Sequence, residues 1–477
     1  MTRRLTKIVS TLGPASRHAE GIETLIKAGA NVFRFNYSHA EYEKLTVAYG
    51  DVRRISKELG MPVGILSDLQ GPKFRVGFFE EGEGVQLVQG ETVEFAYSTE
   101  KGNAQRLHCN VKELVGALHV GTILLLDDGN IELTVLERKS EEVVVCRVEN
   151  SAFLKERKGV NVPSIRIPVP AMTEKDKHDA EFALKMGTDF IALSFVQCAD
   201  DVRELREFME ARGFDRATGP KIVVKMEKPQ ALEALDEILA EADVLMVARG
   251  DLGVELKPEQ VPVAQKNMIR ACINAGKPVI TATQMMESMI SNPVPTRAEV
   301  SDMANAIFDG TDAVMTSAET ASGKYPEKTV NMMTRIAIEN EKFVDTFRHV
   351  YSACEECDNI AAETVAESAV DSAAVASAKA IVCYSLSGSM ARRISKFRPS
   401  VPVIALTTNE DVMHQLCVSY AVYPMLFTAK TNTDETLAAI KAMLLEQGHL
   451  SAGDTIVLAS GATELAGLNY TVQLATL

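Results

Sequence analysis

Ile222-Val223-Val224-Lys225-Met226-Glu227-Lys228 and, after an amphipathic stretch, Val244-Leu245-Met246-Val247-Ala248-Arg249-Gly250-Asp251-Leu252-Gly253 are two copies of one unit. Each opens on a short apolar run without polar alternation, which reads as a strand buried on both faces. A polar tip follows, then a helical period, then the next run. The same unit recurs at Ile8–Leu12, Val32–Phe35, Val63–Leu66, Phe190–Leu193, Val279–Ala282 and Ala313–Met315. Most of the helical stretches end in a glycine placed to stop them, at Gly29, Gly60, Gly187, Gly213, Gly276 and Gly310. Strands alternating with helices make a parallel sheet with right-handed crossovers. Eight such units before about residue 343 predict a (β/α)8 TIM barrel in the α/β class. An open doubly wound sheet is the rival, but no G-x-G-x-x-G follows an early strand.

The spacing breaks once, between Asp68 and a helix starting near Thr173. Val93–Phe95, Ile123–Leu126, Ile131–Leu136 and Val143–Val148 read there as strands between Gly, Asp and Asn turns. A structureless loop of that length is implausible inside a barrel, so an inserted all-β domain is expected. It leaves at the C-terminal end of strand three and is a candidate lid. After residue 344 an Ala-rich helical stretch runs to Lys379, followed by strands at Ala380–Tyr384, Val401–Leu406 and Thr455–Ala459. The expected division is a barrel at 1–69 and 167–343, the β lid at 70–166 and a C-terminal α/β domain at 344–477.

Composition sets outer limits. The 477 residues are 46% hydrophobic and 24% charged, ordinary for a globular chain. Fifty Lys and Arg stand against 65 Asp and Glu, a net charge of −15, which excludes a nucleic-acid partner. No apolar run is long enough to span a membrane. Eight scattered cysteines fit a reducing cytoplasm, and the C-x-x-C at Cys354 and Cys357 has no second pair for zinc.

Residues at the strand tips of a barrel share one mouth. Here they are Arg34, Asn36 and Ser38; Ser67 and Asp68; Lys225 and Glu227; Arg249, Gly250 and Asp251; Thr281 and Thr283; Ser317 and Glu319. Alternate strand residues share a face, so Lys225 and Glu227 project together. Glu227 and Asp251 suit a hard cation such as Mg2+. Lys225 and Arg34 face the phosphate or oxyanion bound to it. The turn at Gly250 and Asp251 offers backbone N–H groups to a carboxylate. The set predicts chemistry on a small phosphorylated or enolisable acid.

Several long motifs identify a family. Thr6-Lys7-Ile8-Val9-Ser10-Thr11-Leu12-Gly13-Pro14-Ala15-Ser16, Phe33-Arg34-Phe35-Asn36-Tyr37-Ser38-His39, Ser67-Asp68-Leu69-Gln70-Gly71-Pro72-Lys73, Met246 to Glu255 and the run from Thr281 through Lys324 resemble bacterial pyruvate kinase, over essentially the whole chain. The resemblance implies phosphoryl transfer from phosphoenolpyruvate to ADP, giving pyruvate and ATP. It implies Arg34 and Lys225 on the phosphoryl group, Glu227 and Asp251 on Mg2+ or Mn2+, and the Gly250–Asp251 backbone on the substrate carboxylate. Thr283 would stand by the enolate carbon. Asn36, His39, Arg75 and Lys158 match nucleotide contacts, and a homotetramer in the cytoplasm is expected.

Two departures matter. The monovalent-cation site of the family corresponds to Asn36, Ser38 and Asp68, but Lys73 replaces a glutamate of potassium-dependent members. An ammonium can occupy the place of K+, so K+ independence is expected. In the third domain Ser385, Ser387, Gly388 and Ser389 lead into a helix and match a phosphate nest for an allosteric effector. The segment Gly461–Gly467 lacks the Trp and Arg-Pro-Gly features linked with a sugar bisphosphate, which points to a sugar monophosphate or AMP. The alternatives are a Mg-dependent barrel lyase or aldolase acting through a pyruvate enolate, and an inactive sensor of phosphometabolites.

Overall fold

The computed structural model describes residues 4–343, 359–430, 432–448, 450–461 and 469–477. Its first three strands, β1 (Lys7–Thr11), β2 (Val32–Asn36) and β3 (Gly64–Asp68), are followed by eight outside the barrel. These are β4 (Gly84–Leu87), β5 (Thr92–Tyr97), β6 (Arg106–Cys109), β7 (Ile123–Leu126), β8 (Ile131–Arg138), β9 (Val143–Val148), β10 (Ala152–Lys155) and β11 (Val160–Asn161). The barrel resumes with β12 (Phe190–Leu193), β13 (Lys221–Met226), β14 (Val244–Ala248), β15 (Val279–Ala282) and β16 (Ala313–Thr316). It closes in the order β1-β16-β15-β14-β13-β12-β3-β2, with β12 beside β3 despite the strands between them in sequence. The eight-stranded parallel barrel expected from the apolar runs is therefore present.

The interior is a packed core of Val9, Val32, Leu66, Phe190, Met246, Ile280 and Met315, among others. Cys417 and Val418, from a turn of the C-terminal region, enter that cluster and plug the floor of the barrel. Each stopping glycine read from the sequence has a positive φ, as at Gly29 (117°) and Gly310 (94°), where a side chain would be strained.

Between β3 and β12 the chain forms a six-stranded sheet ordered β11-β7-β8-β9-β5-β6 and a two-stranded sheet β10-β4. The sequence pattern missed β4, β6, β10 and β11, which are four residues or shorter and mix polar with apolar positions. The C-terminal sheet holds β17 (Ala380–Tyr384), β18 (Val403–Thr407), β19 (Val422–Leu426), β20 (Thr455–Ser460) and β21 (Thr471–Thr476), in the order β19-β18-β17-β20-β21. β19, interrupted by Pro424, and β21, which mixes polar with apolar residues, are edge strands, and the pattern missed both. The Ala-rich helix ends at Val375, before the expected Lys379, because Ser377 turns to φ 50°. Cys354 and Cys357 lie outside the described residues. No helix among the described residues is long and apolar enough to cross a membrane.

Candidate active site

Strand geometry delivers the tips to one mouth, and the alternation along each strand decides which side chains enter it. Arg34 on β2 donates from Nε to Asp68 Oδ2 of β3 at 2.7 Å, and from Nη1 to Thr11 Oγ1 of β1 at 3.0 Å. Lys225 on β13 places Nζ 2.7 Å from Glu227 Oε1 and 3.5 Å from Asp68 Oδ1, and donates to Ser194 Oγ at 2.8 Å. Glu227 is fully buried, and its Oε2 accepts the Phe195 N–H at 2.7 Å. Asp251 stands in the first turn of the helix Arg249–Glu255.

The charges are strongly coupled. Burial pushes the Asp68 carboxyl up, but Lys225 and Arg34 outweigh it and hold it below the usual carboxylate range. Burial pulls the Lys225 ammonium down, yet Asp68 and Glu227 keep it above its ordinary value, so it stays charged. Glu227 is pushed up to about 7, chiefly by burial, with Lys225 opposing and Asp251 adding. Asp68 Oδ1 and Glu227 Oε1 are buried with the shared Lys225 ammonium as their neighbour and no further donor. Glu227 therefore faces a second carboxylate with acceptor capacity to spare, an environment that a divalent cation would relieve. Among the described residues no group of three or more His, Cys, Asp or Glu could hold a metal. The chain offers two carboxylates at most, and substrate oxygens and water would have to complete the shell.

Thr283 follows β15 with φ 67°, and Gln284 follows at 54°. Two successive non-glycine residues in the left-handed region mark a strained tip. The Thr283 hydroxyl accepts the Gly250 N–H at 2.8 Å, so the backbone donor read as a carboxylate ligand is capped by this side chain. Arg249 is an anchor: it binds both oxygens of Asp302 (2.9 and 2.7 Å) and donates to the Thr283 carbonyl at 2.6 Å.

Other predicted residues are placed as follows. Arg75 and Lys158 are neighbours, because Arg75 bridges Gly159 across the two junctions of the inserted sheets. Lys158 pairs with Asp127 at 2.6 Å, and Arg75 donates to the Arg157 carbonyl at 3.0 Å. Asn36 is exposed, and its Oδ1 accepts the Ser38 N–H at 3.0 Å. The His39 side chain lies outside the described residues. Lys73 is exposed in a cleft with Asp128, Gly159, Lys228 and Asp251, and makes no ion pair with Asp68. Thr281 and Ser67 point away from the mouth, bonded to Thr311 and to Tyr49 and Thr188. Glu319 is buried on the backbone N–H groups of Met286 and Ser317. Ser387 and Ser389 are exposed and 3.2 Å apart, while the buried Ser385 hydroxyl caps Met390. Residues 462–468 of the opposing segment lie outside the described residues.

Thr11, Ser194 and Phe195 come from β1 and the tip of β12, the two strands absent from the tip residues read from the sequence. Equal treatment of all eight tips would have found them. Glu255 was also missed: it accepts from Asn161 of β11 at 2.7 Å and pairs with Lys228, tying the inserted sheet to the barrel. No local signal marks it.

A barrel mouth holding two cations among buried carboxylates has the character of an enzyme site that handles a small anion. The family profile described as pyruvate kinase, barrel domain, matches residues 3–330, and that described as pyruvate kinase, alpha/beta domain, matches 363–470. A pyruvate kinase of Sporosarcina psychrophila is 40% identical over 459 residues, which is 96% of this chain and 78% of the relative. One of Staphylococcus aureus (strain MRSA252) is 41% identical over the same shares. The crystal structure of a pyruvate kinase from Cryptosporidium parvum superposes with a TM-score of 0.90 at 34% identity, covering 99% of this chain and 96% of that one. The chain belongs to the pyruvate kinase family and is a phosphotransferase, which displaces the lyase and aldolase alternative.

Proposed function

We propose that this chain transfers the phosphoryl group of phosphoenolpyruvate to ADP, yielding pyruvate and ATP, as the last step of glycolysis. The observation that carries it is Lys225: a largely buried ammonium between Glu227 and Asp68, three strands from Arg34 in the barrel order. Fixed cations in a water-poor site stabilise charge on a group in transit without reorganising. Arg34, held by Asp68 and Thr11, orients the phosphoryl group, and Lys225 follows its charge between donor and acceptor oxygens. Glu227 and Asp251 hold Mg2+ or Mn2+, which when bound neutralises substrate oxygens. Thr283 releases the Gly250 N–H to the substrate carboxylate and stands near the carbon that gains a proton. Asn36, His39, Arg75 and Lys158 bind the nucleotide as the lid formed by residues 70–166 closes and excludes water.

Lys73 supports K+ independence by its charge, its ammonium standing in for the ion of the site that corresponds to Asn36, Ser38 and Asp68. Ser385, Ser387, Gly388 and Ser389 of the 344–477 domain form the site of an activating sugar monophosphate or AMP. The working form is a cytoplasmic homotetramer. A coupled assay of pyruvate formation from phosphoenolpyruvate and ADP tests the core of this reading. Activity in the wild type and its loss in Lys225→Met are expected; an inactive wild type or an active variant refutes it.

A further inference from the structure

The floor of the barrel meets the helix Ser389–Lys396 across a cleft of about 750 Å3. Its walls carry Arg216, Lys221 and Lys277 from the barrel side and Arg392, Arg393 and Lys396 from the helix, against two carboxylates, Asp243 and Glu363. Both carboxylates are already engaged. Asp243 pairs with Arg206 at 2.7 Å and Arg216 at 3.5 Å, and Glu363 pairs with Arg393 at 2.9 Å and with Lys396.

Three cations are left without an ion pair among the described residues. Lys221 donates to the carbonyls of Arg216 (2.7 Å) and Ala217 (3.2 Å). Lys277 donates to those of Ala242 (2.7 Å), Ala240 (3.3 Å) and Leu239. Arg392 donates to that of Ser387 (3.1 Å). Carbonyls orient these groups but do not neutralise them. Burial, with Arg216 adding, holds the Lys277 ammonium down at about 8, and burial lowers Lys221 as well, with Asp243 opposing and Arg392 adding. Such an excess of one sign in a concave wall selects a multiply charged anion.

We propose that this cleft is a binding site for a small phosphate monoester, seated between Lys221, Lys277 and Arg392. Its volume falls in the range of metabolite pockets, and Phe190, Val244 and Pro278 give the body of such a ligand apolar contact. The site is separate from the Ser385–Ser389 loop, of which only Ser389 reaches the cleft. It is also independent of the phosphoryl-transfer assignment. Its barrel wall is built at the N-terminal ends of β13, β14 and β15, whose other ends lead into Lys225, Asp251 and Thr283. Occupancy ties the barrel floor to the C-terminal layer.

Isothermal titration of the intact protein with ribose 5-phosphate at fixed ionic strength, with ribose as the uncharged control, tests the site. Saturable binding of the phosphate and none of ribose is expected, with at least tenfold weaker affinity in Lys277→Met and in Lys221→Met. Lys277 also caps the helix Leu235–Glu241, so thermal unfolding without ligand is compared for every variant. Should both lysine variants fail to fold, Arg392→Gln carries the test with the same tenfold criterion. Because the Ser385–Ser389 loop is assigned a ligand of the same class, the titrations are repeated in Ser387→Ala, where the binding component weakened in Lys277→Met is expected to persist. No saturable binding by the wild type, an unchanged isotherm in the folded cation variants, or loss in Ser387→Ala of the component that Lys277 supports overturns the proposal.

Discussion

The mouth and the floor of this barrel each bury an aspartate against an arginine, and they satisfy them differently. At the floor, Asp312 accepts from Arg398 with both oxygens (2.9 and 2.8 Å), from the Tyr420 N–H at 3.0 Å and from the Val279 N–H at 3.0 Å. Each oxygen has two donors, and the pair joins the C-terminal layer to the barrel. At the mouth, Asp68 Oδ1 has no hydrogen bond, and Glu227 Oε1 has only the ion pair with Lys225. A filled donor set is a structural joint; an unfilled one retains capacity for a ligand. Holding both in one barrel separates stability from chemistry along the strand direction.

The largest expected break in that comparison is Lys225→Met. It should lower kcat by about 10³-fold, the scale of losing a preorganised charge at the reacting group, while urea unfolding changes little. Equal losses of activity and stability would erase the distinction. Asp312→Ala should do the converse. It removes the carboxylate partner of the buried Arg398 guanidinium and should cost about 3–5 kcal/mol of stability, leaving kcat per folded molecule near wild type. Thr283→Ala should reduce kcat by about 10²-fold, with smaller change in the unfolding midpoint. A kcat within twofold of wild type would remove Thr283 from the chemistry.

The smallest effect concerns pH at the floor. The depressed Lys277 pKa means that the native chain binds fewer protons than the unfolded one between about pH 8 and 10.5. Stability from this group therefore rises through that window. The ammonium is faced by Arg216, Asp243, Glu241 and Cys272. Urea unfolding at pH 7.5 and 10 should show a rise in the wild type relative to Lys277→Met; parallel pH dependences would contradict the burial of the charge.

Much of this was legible without coordinates. The barrel strands are continuous apolar runs long enough to be read singly, and Phe190–Leu193, Val244–Ala248 and Val279–Ala282 fall where the runs do. The short strands around residues 84–161 lack that signal, since neighbouring chain segments rather than their own pattern define them. At the site, Arg34, Lys225 and Glu227 were readable as strand-tip residues of matching phase. Arg249 and Glu319 were readable as tips too, but proved to be anchors for backbone and Asp302, which tip position alone does not reveal.

What the sequence by itself determined is the alternation of buried strands with capped helices, and with it the barrel, the family and the charged tips. Local periodicity and long motifs carry that information because each depends on neighbours in the chain. Only the tertiary structure decided which charges meet. The partners of Lys225 lie on three strands, Thr283 is strained over Gly250, and Lys221, Lys277 and Arg392 converge from separate layers on one cleft. Such juxtapositions arise when distant segments close around a core, and no spacing along the chain encodes them.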